Sequence, residues 1–227
     1  MTFVFEPPEQ PTVAMLDGAS FPVHRIYCVG RNYAAHVREM GFDPEREEPF
    51  FFMKPADAVV PDGGTVPYPP MTSDFQHEVE LVVAIGKGGR DIPEGSATSH
   101  IFGYGVGIDM TRRDLQIEAR TKGRPWDFGK GFDASAPCGR LTPTAQVRDL
   151  NGAQISLTVN AEKRQASDLA HMIWTVPEIV AYLSRFVSLV PGDLIYTGTP
   201  EGVSPVHRGD RLEARIEGLE ALTVRIG

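Results

Sequence analysis

Phe75-Gln76-His77-Glu78-Val79-Glu80-Leu81-Val82-Val83-Ala84-Ile85 is an apolar, β-branched run with two carboxylates set into it. Its composition predicts a strand, and Gly86-Lys87-Gly88-Gly89 supplies the turn that ends it. Side chains alternate along a strand, so Glu78 and Glu80 share a face. Two like charges beside a core are costly unless a cation joins them. Alone, the pair fits equally well the solvated side of an amphipathic strand. Asp109, in Gly107-Ile108-Asp109-Met110-Thr111, weighs against that alternative. It ends a glycine-rich strand just before a helix start, where side chains often reach a site. Three carboxylates would form an oxygen-only set suited to Mg²⁺ or Mn²⁺, and Ca²⁺ accepts the same ligands.

On the N-terminal side, Ile26-Tyr27-Cys28-Val29 predicts a buried strand ending at Gly30, and Asn32 to Met40 a helix stopped by Gly41. Charged residues 43–49 predict a loop, Phe50 to Met53 a second strand closed by Lys54-Pro55, and Pro61 to Thr72 turns and extended chain. Residues 1–24, rich in proline, are expected to form an extended arm, with residues 25–227 as the folded domain. On the C-terminal side, Ile101 to Ile108 predicts a glycine-interrupted strand. Thr111-Arg112-Arg113-Asp114 has the spacing of a capping box before a short helix, Leu115 to Thr121. A strand over Ile155 to Val159 is followed by a turn at Asn160-Ala161-Glu162. Val176 to Leu189 is the clearest amphipathic helix, with Pro177 in its first turn. Leu194 to Thr197 and Arg211 to Ile226 predict closing strands. Many short strands with few helices indicate an α+β, mostly β, mixed-sheet fold.

The chain has 227 residues, a net charge of −8, 41% hydrophobic and 23% charged residues. This composition is that of a globular domain and argues against nucleic acid or an anionic membrane as the main partner. Two cysteines make no disulfide framework, and a cytoplasmic location is expected. There is no apolar run of about 18 residues. The nucleotide-binding glycine motifs, the serine-hydrolase elbow and paired Cys-x-x-Cys are missing.

Three further segments carry chemistry. His36 and Glu39 are three apart, so on a helix they share a face, and a carboxylate that orients a histidine can prepare it as a general base. The same spacing also fits an ordinary surface pair. Lys130, between two glycines and near aromatics, could stabilise a developing oxyanion or be a plain loop lysine. In Tyr196-Thr197-Gly198-Thr199-Pro200-Glu201-Gly202, backbone N–H groups could cradle a carboxylate or form a simple turn.

Together these segments resemble the fumarylacetoacetate hydrolase family. The resemblance is carried by Tyr27 to Tyr33 with His36 and Glu39, Phe52 to Pro55, His77 to Glu80, Gly107 to Gln116, Lys130 to Asp133, and Thr197 to Val203, in the family's order. The subgroup most similar is the fumarylpyruvate hydrolases, then the acylpyruvases. The resemblance implies a rolled mixed β-sheet domain, usually a homodimer, acting on a small anionic diketo acid. It implies Glu78, Glu80 and Asp109 as metal ligands, and His36 and Glu39 as a water-activating dyad on a lid. It further implies Lys130 beside the metal, and Arg31, Arg113, Gln116 and Thr199 as substrate contacts. The expected reaction is hydrolysis of a carbon–carbon bond in a 2,4-diketo acid. Decarboxylation, tautomerisation or dienol isomerisation within the family are the alternatives, with a non-enzymatic cation-binding module more remote.

Overall fold

The computed structural model describes residues 2–41 and 46–227. In chain order the first strands are β1 (Thr12–Ala14), β2 (Ser20–Pro22), β3 (Arg25–Gly30), β4 (Phe50–Lys54), β5 (Val59–Val60), β6 (Thr65–Val66), β7 (Phe75–His77), β8 (Val79–Ile85) and β9 (Ile101–Ile108). They are followed by β10 (Thr111–Arg112), β11 (Ala136–Pro137), β12 (Thr142–Pro143), β13 (Gln154–Val159), β14 (Glu162–Asp168), β15 (Asp193–Tyr196), β16 (Ser204–Pro205), β17 (Arg211–Ile216) and β18 (Leu222–Ile226). Four helices interrupt them: α1 (Ala34–Glu39), α2 (Arg113–Thr121), α3 (Asp127–Lys130) and α4 (Val176–Phe186).

Two sheets build the body. The larger has the order β12-β9-β8-β15-β3-β4, parallel only between β15 and β3. The second has the order β14-β13-β17-β18-β6. Of the strand predicted over Phe75 to Ile85, the part from Val79 to Ile85 becomes β8, a central strand of the larger sheet. Its alternation serves three packing surfaces. Val79 and Leu81 join the core shared with the second sheet, and Val83 and Ile85 the core under α4. Val82 and Ala84 face the other way, toward Val13, Phe21 and Val23 of the N-terminal segment. Glu80 continues this last row. The first 24 residues thus include a short hairpin, β1–β2, that buries side chains against the larger sheet.

Helix α4 forms as its pattern predicts, with Ile179, Val180 and Leu183 buried. It ends at Phe186 rather than Leu189. Its start is fixed by Glu178, whose carboxylate accepts from the Thr175 backbone N–H at 2.9 Å and hydroxyl at 2.8 Å. The capping box expected at Thr111 does not form. Thr111 is a strand residue whose hydroxyl donates to the Asp109 carbonyl at 3.2 Å. Asp114 instead accepts from the Thr72 hydroxyl and the Ser73 N–H, so pairing of β10 with β7 outcompetes the local cap. Helix α1 is shorter than the predicted Asn32–Met40, and of the 43–49 loop, residues 43–45 lie outside the described residues. Both cysteines are free and buried, and no helix among the described residues is long and apolar enough to cross a membrane.

Candidate metal and acid–base site

The predicted strand over residues 75–85 is broken at Glu78, and this break builds the site. β7 pairs with β10 and β16, while β8 pairs with β9 and β15. Gln165 of β14 holds the junction. Its Oε1 accepts from the Val79 N–H at 3.0 Å and faces His77 Nδ1 at 2.9 Å. Its Nε2 donates to the Thr199 hydroxyl oxygen and the Pro200 carbonyl, each at 2.9 Å. Burial holds the His77 pKa down at about 4, so the ring is neutral near pH 7.

Glu78 and Glu80 sit on either side of Val79, and Asp109 follows β9. All three are buried, and one oxygen from each lies within 4.8 Å of the others. Lys130 Nζ donates to Glu78 Oε2 at 2.7 Å and to Asp109 Oδ2 at 2.8 Å. Lys54 Nζ ion-pairs with Asp109 Oδ1 at 2.8 Å, and it also donates to the carbonyls of Met110 and Lys130. Arg113 donates to Glu78, Gln116 and, at 2.8 Å, Gln76.

These cations act unequally on the carboxylates. Glu78 is pushed up by burial but brought well below the usual range by Lys130 and Arg113. Glu80 is held well above its ordinary value by burial and by the charges of Asp109 and Glu78. Its Oε2 accepts from the Gly198 N–H at 2.7 Å. A divalent cation at this carboxylate cluster would remove that repulsion, and the all-oxygen donor set fits a hard ion. Lys130 is lowered by burial but raised further by Asp109 and Glu78, so it stays charged.

The 196–202 segment does cradle carboxylates, but they are the protein's own: Gly198 N–H serves Glu80 and Gly202 N–H serves Glu39. Gly202 has φ +92°, and a Cβ there would lie 2.1 Å from the Arg164 carbonyl oxygen. Only glycine fits this approach. Above the carboxylates, His36 Nδ1 lies 3.1 Å from Glu39 Oε2, and the Gly202 N–H donates to both Glu39 oxygens at 3.0 and 3.2 Å. Burial raises the Glu39 pKa, but the bonds from His36 and Gly202 outweigh it, leaving Glu39 below its ordinary value.

A cavity of about 40 Å³ brings the predicted groups together: His36, Glu78, Glu80, Lys130, Arg31, Arg113, Gln116 and Thr199 line it, with Arg120 and Trp126. The Thr199 hydroxyl is already engaged, donating to the Val79 carbonyl and accepting from Gln165. Arg31 has φ 58°, a left-handed conformation costly for a residue with a Cβ, and its guanidinium lies 5.7 Å from the Phe50 ring centroid. A larger cavity, about 610 Å³, lies elsewhere, between residues such as Tyr104, Leu150, Met172 and Val176. It contains none of these titratable groups, so size does not mark the chemistry. Sequence reasoning missed Lys54, Arg120, Trp126 and Asn32. Lys54 carries the one available signal, a lysine at the end of a strand that is otherwise apolar.

Residues 25–227 match the family model described as fumarylacetoacetate (FAA) hydrolase C-terminal. The chain is similar to the crystal structure of fumarylpyruvate hydrolase from Pseudomonas aeruginosa in complex with Mn²⁺ and pyruvate, with a TM-score of 0.97, 55% identity and 99% of each chain covered. It is 47% identical to a fumarylpyruvate hydrolase from Ralstonia sp over 185 residues, covering 82% of this chain and 96% of that protein. It is also 42% identical to a human mitochondrial oxaloacetate tautomerase over 201 residues, covering 88% of this chain and 90% of that one.

Proposed function

This chain belongs to the fumarylacetoacetate hydrolase family, and on that premise we propose that it hydrolyses the carbon–carbon bond of a 2,4-diketo acid, fumarylpyruvate first among them, to fumarate and pyruvate. One observation carries the reading: His36, Glu78, Glu80 and Lys130 line one cavity, with Glu39 held against His36 and Asp109 grouped with the two glutamates and Lys130 behind its lining. A cation-binding module would need no histidine–carboxylate pair above the ion.

Glu78, Glu80 and Asp109 would hold a divalent cation, Mg²⁺ or Mn²⁺. When bound, it supplies a template and Lewis-acid polarisation for the α-keto-acid end of the substrate. The chain's own groups account for the rest. His36 turns Nδ1 to Glu39, which leaves Nε2 as the base that takes a proton from water. The water oxygen bonds to the distal keto carbon, and collapse of the tetrahedral adduct breaks the bond to the methylene carbon. The electron pair leaves as pyruvate enolate. Lys130, kept charged, lies where it can donate to the enolate oxygen. The proton held at His36 Nε2 returns to the methylene carbon, giving pyruvate.

Arg113 is committed to Glu78, Gln76 and Gln116 on the carboxylate side. Arg31 and Arg120 line the cavity with Arg113, and on this reading Arg31 or Arg113 would hold the substrate's far carboxylate. The cavity, about 40 Å³, has room for only on the order of three waters, and α1 contributes His36 to its lining. The same reading includes a homodimer in the cytoplasm, and residues 25–227 as the catalytic unit with the first 24 residues as an accessory arm.

The test is to incubate the protein with Mg²⁺ or Mn²⁺ and fumarylpyruvate and to follow loss of the enol absorbance with appearance of fumarate. A second reading, oxaloacetate tautomerisation, is favoured by the likeness to the human relative and uses the same carboxylate cluster. Accelerated keto–enol exchange of oxaloacetate with no fumarate formed would replace the first reading with the second.

A further inference from the structure

The chain on either side of α1 converges on one residue outside the cavity. Before the helix, Asn32 is buried and its amide is fully used. Nδ2 donates to the Trp174 carbonyl at 2.9 Å and to the Thr197 carbonyl at 2.8 Å, and Oδ1 accepts from the Trp174 N–H at 2.7 Å. The Asn32 carbonyl accepts from the Ile173 N–H at 2.8 Å. After the helix, the Trp174 indole Nε1–H donates to the Glu47 carbonyl at 3.0 Å. The Arg46 guanidinium lies 4.4 Å from the Trp174 ring centroid and also ion-pairs with Glu178. Trp174 immediately precedes the capped start of α4, a helix anchored in the core, so it is a fixed point.

Helix α1 has six residues, too few to hold its shape alone. Its own contacts with the body include the buried side chains of His36 and Val37 and the Gly202 N–H bond to Glu39, and at its N-cap Tyr33 bridges to Met172. The placement of His36 therefore depends on where the two flanking stretches are tied. We propose that Trp174 is a positioning residue, fastening both flanks of α1 so that the His36–Glu39 pair stands over the carboxylates. Backbone atoms of Trp174 hold the flank before the helix, and its indole holds the flank after it. The catalytic consequence rests on the function proposed above; the mechanical one does not.

Amide hydrogen exchange of the full chain separates these two. In Trp174→Ala, exchange over residues 34–39 should rise at least tenfold while β8 and β9 keep wild-type protection. Trp174→Phe keeps a ring for Arg46 and loses only the N–H to Glu47, so its rise should be smaller. Arg46→Ala, which leaves Trp174 in place, should also raise exchange over 34–39 and serves if Trp174→Ala fails to fold. Turnover of fumarylpyruvate by Trp174→Ala should fall about tenfold with Mn²⁺ affinity within twofold of wild type, and Trp174→Phe should recover most of it. Unchanged exchange over 34–39, or an equal rise in β8 and β9, overturns the proposal. If the wild-type protein cleaves no diketo acid, the functional reading fails while the exchange result still decides the fastening.

Discussion

The floor of the cavity and the helix above it are built on opposite principles. The floor sets Glu80 in central strand β8, with Glu78 just before it and Asp109 just after β9, and two lysines and an arginine each touch at least one of the three. Its side chains are buried and cross-linked through Gln165 and the backbone of Gly198. The helix offers six residues, a half-exposed Glu39 and a few tethers to neighbouring loops. A rigid floor suits groups that must hold a charge pattern before substrate arrives, since preorganised dipoles need no reorganisation during reaction. A loosely tied helix suits groups that must withdraw for entry and return for proton transfer. On the function proposed above, the enolate chemistry would belong to the floor and the choice of hydrolysis to the helix.

This contrast can be broken by experiment. The largest effect should come from the floor. Glu80→Ala removes one of three carboxylates, so Mn²⁺ binding by calorimetry should fall by more than about 100-fold, with no turnover above background. Full activity in a metal-stripped sample would end the metal reading. Next, His36→Ala should lower kcat by about 10²- to 10⁴-fold while Mn²⁺ affinity stays near wild type. Parallel loss of both would mean that floor and helix are one unit.

A third effect concerns the arginine wall. Arg31→Leu or Arg120→Leu should cut kcat/KM for fumarylpyruvate by about ten- to a hundredfold, as expected for loss of a charged hydrogen bond. Acetylpyruvate, which lacks the far carboxylate, should be affected much less. Equal losses on both substrates would assign these arginines to folding or to the helix. Gly202→Ala should destabilise the protein by about 1–3 kcal/mol in urea unfolding, because φ is positive and the Cβ meets the Arg164 carbonyl. A wild-type midpoint would show that the loop yields freely.

The smallest effect is a pH response of the helix. Glu39 has a folded pKa below its ordinary value, so its contribution is present above that ordinary value and fades as pH falls through the lower one. Exchange over residues 34–39, corrected for intrinsic rate, should rise by a few-fold below about pH 4, whereas β8 and β9 should not respond in step. A uniform rise would tie the change to global acid unfolding.

Much of this was readable in the residues. The β-branched composition of Phe75 to Ile85 indicated a strand, which forms as β8 from Val79 to Ile85, and Ile101–Ile108 forms a strand with the predicted bounds. Local patterns failed where a partner distant in sequence offered more. The strand break at Glu78 is held by Gln165 and by β10, neither visible from the run itself. The capping box at Thr111 lost to strand pairing, while the one at Thr175 and Glu178, unnoticed in the pattern, formed. Lys54 gave a weak signal, since a lysine closing a strand is usually solvated; burial against Asp109 is a property of the packed sheet.

The sequence by itself indicated the fold class, because hydrophobic periodicity is local; for the three carboxylates, the histidine–glutamate pair and the lysine, residue chemistry alone left bland alternatives open, and the resemblance of six ordered segments to the family pointed to them. Only the tertiary structure decided that Arg113 serves Glu78 and that Arg31 and Arg120 line the same cavity. It also decided that Gly198 and Gly202 support the protein's own carboxylates, and that Trp174 ties both flanks of α1. Those assignments depend on which groups meet across more than a hundred residues of chain, for example Glu80 with Gly198. Hydrogen bonds and ion pairs of this kind are set by the close packing of the sheets, which no short stretch of sequence contains.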